Sequence, residues 1–182
     1  MDTNLIESIV KRVMSEQENT NDISNGFKEV VEISDNQDVS DLVFDCKNIK
    51  LDKANYLIDK VIKKADEIGV KAVCAVVDGG ARPVSVQSAD GAFIASYDIA
   101  LNKAYTSVSL KMKTSQLKEL AQPGASLYGI QHTNGGKIVI FGGGVPLKVG
   151  DEFIGGFGVS GGSEEQDTYL GEYAEEVFKS LI

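Results

Sequence analysis

Gly156, Gly158 and Gly161 spell G-x-G-x-x-G after a strand-like run, Glu152–Ile154, and ahead of a helical C-terminus. That spacing is the dinucleotide fingerprint, in which glycines let a pyrophosphate reach a helix N-terminus. The fingerprint opens a βαβ unit of about 30 residues with an acidic ribose ligand about 20 residues on. Only 21 residues follow Gly161, enough for one helix and no second strand. The glycines therefore serve another purpose. His132, the single histidine, is the one imidazole available for metal ligation or proton transfer. It sits in a loop, Gln131-His132-Thr133-Asn134-Gly135-Gly136, where it can reach a ligand or a neighbouring subunit; the plain alternative is a solvent-exposed side chain without a role. Lys103 and Thr106 lie three apart, on one face of a predicted helix. Asp167 follows the last glycines within the first turn of the final helix, where a carboxylate complements the helix dipole. Asp78 and Asp90 read as turn residues rather than an acid–base pair. One histidine cannot supply a recognisable Ser-His-Asp grouping, no metal-ligand spacing is present, and enzymatic readings are weak.

These residues belong to the third of three segments. Residues 1–17 carry Leu5, Ile6, Ile9, Val10, Val13 and Met14 on one stripe of a short helix. A helix this short is marginal alone in water. It needs a surface, either on its own domain or in a groove on another protein. Residues 18–47 are rich in Asn, Asp, Ser and Glu; residues 15–45 hold nine acids against one base, Lys28. Such a segment buries too little apolar surface to offset its ordering entropy. As a flexible linker it spans roughly 30 Å, which favours a tethered tag over a self-docking helix.

Residues 48–182 read as a single α+β domain. A helical stripe runs from Leu51 to Ile68 and stops at Gly69. Five strands are expected at Ala72–Val77, Val84–Ser88, Lys137–Phe141, Val145–Val149 and Glu152–Val159, joined largely by short turns and hence antiparallel. Helices are expected at Phe93–Leu110, Thr114–Leu120 and from Ser163, whose capping box pairs Ser163 with Gln166. An antiparallel sheet excludes the parallel dinucleotide-binding architecture. Gly142–Gly144, including Gly143 and Gly144, permit sharp bends and close backbone approach, to a neighbouring strand or to a flat ligand.

The net charge of −9 disfavours nucleic acid and anionic membrane as partners. No apolar run is long enough to span a bilayer, and the N-terminus lacks the pattern of a signal peptide. Cys46 and Cys74 make neither a disulfide framework nor a zinc site, and Cys74 is expected to pack as a small hydrophobe. The expected location is cytoplasmic.

Asp78-Gly79-Gly80, Asp90-Gly91, Ala100-Leu101-Asn102-Lys103-Ala104, Gly142-Gly143-Gly144-Val145-Pro146, Gly158-Val159-Ser160-Gly161-Gly162 and Asp167 occur in one order. This ordered set resembles the GlcG/HbpS haem-binding family. Leu127-Tyr128-Gly129-Ile130-Gln131, with Phe141 to Leu147, resembles the version found at the C-terminus of PduO-type corrinoid adenosyltransferases. The resemblance implies a profilin-like α/β/α sandwich that assembles into homo-oligomers, often octamers. It implies haem as the ligand, bound between subunits, with cobalamin or another tetrapyrrole as the alternative. Haem iron commonly takes imidazole as an axial ligand, which makes His132 the candidate metal ligand. Family members that supply a histidine from a helix have no counterpart here, because the predicted helices contain none. The Lys-Ala-x-Thr patch of the family faces the ligand, so Lys103 is expected to pair with a propionate and Thr106 to offer an oxygen. Gly143, Gly144 and Asp167 complete the expected cofactor-binding set. PduO relatives are associated with bacterial microcompartments, and residues 1–17 resemble an encapsulation peptide that engages shell or cargo proteins. The sequence thus reads as a tetrapyrrole-binding microcompartment protein. Its alternatives are a cofactor-free assembly protein and a small cobalamin-redox helper enzyme.

Overall fold

A computed structural model describes residues 47–182. The amphipathic stripe of residues 1–17 and most of the acidic segment of residues 18–47 lie outside the described residues.

Helix α1 (Leu51–Glu67) buries Ala54, Leu57, Ile58, Val61 and Ala65, the i, i+3, i+4 stripe expected of it, while Leu51 at its start stays exposed. Strand β1 (Val73–Asp78) is buried along its whole length, as an interior strand covered on both faces must be. It turns through Asp78, whose Oδ1 accepts from the backbone N–H of Gly80 and Arg82, both at 2.9 Å, and whose Oδ2 accepts from Arg82 Nε at 2.8 Å. Strand β2 (Pro83–Ser88) returns antiparallel. Helices α2 (Ile94–Ser109) and α3 (Thr114–Leu120) follow. Residues 121–143 form an irregular connection holding two single-turn 3-10 helices, Ile130–His132 and Asn134–Gly136. Strands β3 (Gly144–Val149) and β4 (Glu152–Ser160) form a second hairpin, and α4 (Glu164–Lys179) closes the domain. The capping box at Ser163 and Gln166 forms as its residue pattern predicts.

The sheet has four strands in the order β2-β1-β4-β3, and every neighbouring pair is antiparallel. Its two faces are covered by different helices. Cys74, Val76, Phe157, Val159, Val145 and Leu147 pack against α1 and α4, with Leu57, Ile58, Leu170 and Phe178 among the helix side chains that meet them. On the opposite face Val73, Ala75 and Val77 meet Ala100, Ala104 and Val108 of α2. The result is a three-layer α/β/α sandwich. None of the helices among the described residues is long and apolar enough to cross a membrane.

The expected fifth strand, Lys137–Phe141, is not one. The continuous apolar run Ile138-Val139-Ile140-Phe141 suggests a strand, but the backbone bonds to a helix side chain instead of a strand ladder. Val139 N–H donates to Thr106 Oγ1 at 3.0 Å, and Ile138 is the residue that turns into the core.

The glycines of β4 explain how α2 packs so closely. Gly156 and Gly158 alternate onto the α2 face, paired in register with Val77 and Ala75. A Cβ on Gly158 would overlap Ala100 O and lie 2.6 Å from Ala104 N, and one on Gly156 would overlap Ala104 O. Gly156 and Gly158 of the G-x-G-x-x-G pattern are therefore a bed for a helix backbone, and Gly161 lies against Lys71 and Ala72 at the entrance to β1, rather than against a pyrophosphate.

Candidate functional site

Four of the six candidate residues meet where α2, the exit of β4, the start of α4 and the glycine run 142–144 converge. Lys103 projects from α2 with no exposed surface. Its Nζ donates to Asp167 Oδ2 at 2.7 Å and to Val159 O at 2.8 Å, and it lies 4.9 Å from the centroid of the Phe141 ring. Asp167, in the first turn of α4, also accepts from Gly162 N–H at 3.0 Å through Oδ1. A charged pair this deep is penalised by lost hydration. Burial holds Asp167 above the usual carboxylate range, against the opposing pull of Lys103; burial likewise lowers Lys103 below the usual amine value, against the pull of Asp167.

Gly143 roofs this pair. Its φ of +110° suits glycine, and a Cβ there would lie 2.8 Å from Lys103 Nζ and 2.7 Å from Val159 O. Gly143 O accepts from Val159 N–H at 3.0 Å, which ties the roof to β4. Gly144 N–H donates to Thr114 Oγ1 at 2.9 Å, and a Cβ on Gly144 would meet Lys103 O and Thr114 Cγ2, both at 2.6 Å. Both glycines are required by packing against protein atoms.

Thr106, one turn along α2, is equally buried. Its Oγ1 donates to Asn102 O at 2.7 Å and accepts from Val139 N–H, so the hydroxyl anchors the irregular connection to the helix.

His132 is placed differently. It is exposed, on the 3-10 turn that follows Gly129. Beside it, Gln131 Oε1 is buried and has no hydrogen-bond donor among the described residues. Two aromatic side chains of the same connection reach solvent: Tyr128 is 64% exposed and Phe141 38%. Asn134 Nδ2 donates to Tyr105 Oη at 3.1 Å and pins the following turn to α2.

The structure thus separates the candidates into two groups. Lys103, Asp167, Gly143 and Gly144, with Thr106 nearby, form an internal clamp whose polar atoms are taken by protein partners. His132 is presented outward on a connection the clamp holds in place. Thr114 and Phe141 also belong to this arrangement. Their signal in the sequence was slight, a threonine opening a short helix and an aromatic residue just before a glycine run. Among the described residues no group of three or more His, Cys, Asp or Glu side chains is placed to hold a metal ion.

Residues 49–175 match the family described as haem degrading protein HbpS-like. An uncharacterised 15.0 kDa protein from the dhaT–dhaS intergenic region of Citrobacter freundii is 47% identical over 133 residues, 73% of this chain and 94% of that protein. The corrinoid adenosyltransferase PduO of Salmonella typhimurium is 40% identical over 121 residues, 66% of this chain but only 36% of PduO, so the match spans about a third of that enzyme. Among solved structures, a PduOC:haem complex superimposes with a TM-score of 0.68 at 33% identity, covering 71% of this chain and 94% of that one. A family match over this much of the chain, and a relative so nearly covered, place the protein in the HbpS-like family.

Proposed function

We propose that this protein binds haem or a related tetrapyrrole through the 121–143 connection, where the His132 imidazole would hold the metal. The observation that carries this reading is the exposure of the only histidine on the same connection as two exposed aromatic side chains, Tyr128 and Phe141. A tetrapyrrole is a large flat apolar ring, and its metal needs a nitrogen, oxygen or sulfur donor. The donor set fits. His132 offers the nitrogen, Tyr128 and Phe141 offer apolar surface, and Gln131 Oε1 lacks a donor among the described residues. When bound, the tetrapyrrole would supply the redox-active metal; the chain itself supplies the ligand and the wall. Lys103 and Asp167 act from beneath, by fixing Gly143 and with it the end of the connection. Binding between subunits, as the family resemblance implies, accords with a homo-oligomer, and an octamer is the form that resemblance suggests. The similarity to a PduOC:haem complex and the family's description support haem over cobalamin. Residues 1–17 then serve as an encapsulation tag, joined through residues 18–47, that brings the protein into a bacterial microcompartment.

Haem titration of the full chain tests the cofactor reading. A saturable Soret band is expected, shifted or lost in His132→Ala. An unaltered spectrum in that variant removes His132 from the site. Deleting residues 1–17 should abolish co-purification with shells; unchanged co-purification rejects the tag.

One observation favours a cofactor-free assembly protein as the second reading. The polar atoms of Lys103, Thr106 and Asp167 are already satisfied within the protein. No spectral change on adding either haem or cobalamin would establish that reading. Turnover of the cobalamin redox state would instead favour a helper enzyme.

A further inference from the structure

Asn134-Gly135 is one of two Asn-Gly steps in the chain, the other being Asn25-Gly26. Asparagine is chemically labile, one reason heat-adapted proteins hold less of it. Asn134, Gly135 and Gly136 all hold left-handed backbone, with φ of +52°, +66° and +79°. Only Asn134 of the three carries a side chain, and asparagine tolerates this region better than most residues. All three are exposed. The Gly135 N–H donates to no acceptor among the described residues, whereas Gly136 N–H donates to Thr133 O at 2.9 Å and Lys137 N–H to Asn134 O at 3.4 Å. One bond reaching outside the turn restrains the carboxamide: Asn134 Nδ2 donates to Tyr105 Oη at 3.1 Å.

An unbonded main-chain nitrogen therefore adjoins a labile carboxamide, and Gly135 has no side chain to hinder their approach. We propose that Asn134 is a site of spontaneous deamidation in the folded protein, paced by its hydrogen bond to Tyr105. Attack needs the carboxamide to swing onto its own main chain, which it cannot do while held by Tyr105. Gly135 N then bonds to Asn134 Cγ as the Cγ–Nδ2 bond breaks. Nδ2 leaves as ammonia, taking the proton that Gly135 N gives up, and a cyclic imide remains. Water opens the imide. Cleavage of the new N–Cγ bond gives aspartate; cleavage between the same nitrogen and the Asn134 main-chain carbonyl gives isoaspartate. One water enters, one ammonia leaves, and nothing is oxidised or reduced. The other asparagines among the described residues are less open to this route. Asn48, Asn55 and Asn102 precede Ile49, Tyr56 and Lys103, whose side chains crowd the approach, and Asn55 and Asn102 lie within helices.

The product alters the turn twice over. A carboxylate replaces the amide donor at Tyr105, whose ring centroid already lies 5.6 Å from Lys137 Nζ. Isoaspartate also carries the main chain through Cγ, adding a methylene to the backbone two residues from His132. Ageing thus resets the placement of His132. That consequence rests on the haem reading above; the modification does not.

Peptide mapping of the full chain by mass spectrometry, during incubation in mildly alkaline buffer at physiological temperature, tests the proposal. Position 134 should gain the mass of amide-to-acid exchange, split between two chromatographic products, while Asn48, Asn55 and Asn102 stay intact. The peptide holding Asn25 is resolved separately. Tyr105→Phe keeps the ring, removes the acceptor and should speed conversion roughly two- to tenfold, the worth of one neutral hydrogen bond. Circular dichroism will show the variant folded, and wild type unfolded in urea gives the unrestrained rate. Folded protein that stays intact at Asn134 after the unfolded chain has converted overturns the proposal. Equal rates in wild type and Tyr105→Phe overturn the pacing by Tyr105. Haem titration of fresh and aged samples reads the consequence: an altered Soret band on ageing supports it and an unaltered one overturns it. A fresh sample with no Soret band overturns the haem reading and leaves the modification standing.

Discussion

Lys103 and Asp167 are sixty-four positions apart and meet at 2.7 Å with side chains 0% and 5% exposed. Removing one partner from such a pair costs about 3–5 kcal/mol, because the other charge is left buried without compensation. Lys103→Met leaves Asp167 with only its backbone donors near Gly162, and Asp167→Leu leaves the ammonium with Val159 O alone. For a domain of this size, where about 1 kcal/mol moves Tm by roughly 3–5 °C, each single variant should melt about 10–20 °C lower. The double variant buries no charge. It loses the acceptor for Gly162 N–H, a cost of about 1–3 kcal/mol, and should be more stable than either single variant. Urea unfolding of wild type, both singles and the double closes the cycle. Additive costs, or single costs under about 1 kcal/mol, would refute the clamp and reopen Lys103 as a residue free to hold a ligand's carboxylate.

Three further outcomes follow from the geometry. Gly158→Ala should cost about 2–4 kcal/mol by denaturant melting, since its Cβ meets the backbone of α2 and backbone cannot rotate aside; a loss under about 0.5 kcal/mol would mean that α2 is not seated on β4. Glu164 accepts from Lys118 Nζ at 2.7 Å and from Gly142 N–H, and the lysine first of all holds its carboxyl below the usual range. A lowered carboxylate stabilises the fold above its unfolded value of 4.5 and loses that contribution as pH falls through the folded value; the difference between wild type and Glu164→Gln, under about 1 kcal/mol at this partly exposed site, should therefore be present at pH 7 and vanish in strong acid. Burial pushes the Cys74 thiol far up. In a Cys46→Ser background, thiol reagents should leave the native protein unlabelled, and rapid stoichiometric labelling would show that β1 opens readily.

Sequence legibility followed the range of the interaction. Features written in neighbouring residues were readable: the α1 stripe, the Asp78 turn, the Ser163–Gln166 cap and the hairpins. Lys137–Phe141 misled because a short run of β-branched apolar residues says nothing of what the backbone bonds to, and here Thr106 supplied the partner. The resemblance singled out Lys103, Asp167 and Gly143 separately. Nothing in their spacing indicated that they meet each other, since a contact across sixty-four positions exists only after the sheet has formed. The glycines of β4 were legible as sites of close approach, but whether strand, ligand or helix approaches is decided on the other side of the sheet.

The glycine bed of β4 also bears on motion. Where Ala100 and Ala104 rest on Gly156 and Gly158, neither surface carries a side chain with rotamers to exchange. A contact of that kind cannot loosen gradually by repacking. It is either seated or fully separated, so α2 and β4 should open as a single cooperative unit. Their slowest amides should share one hydrogen-exchange free energy, and anything docked on the outer face of α2 would be felt directly in the centre of the sheet.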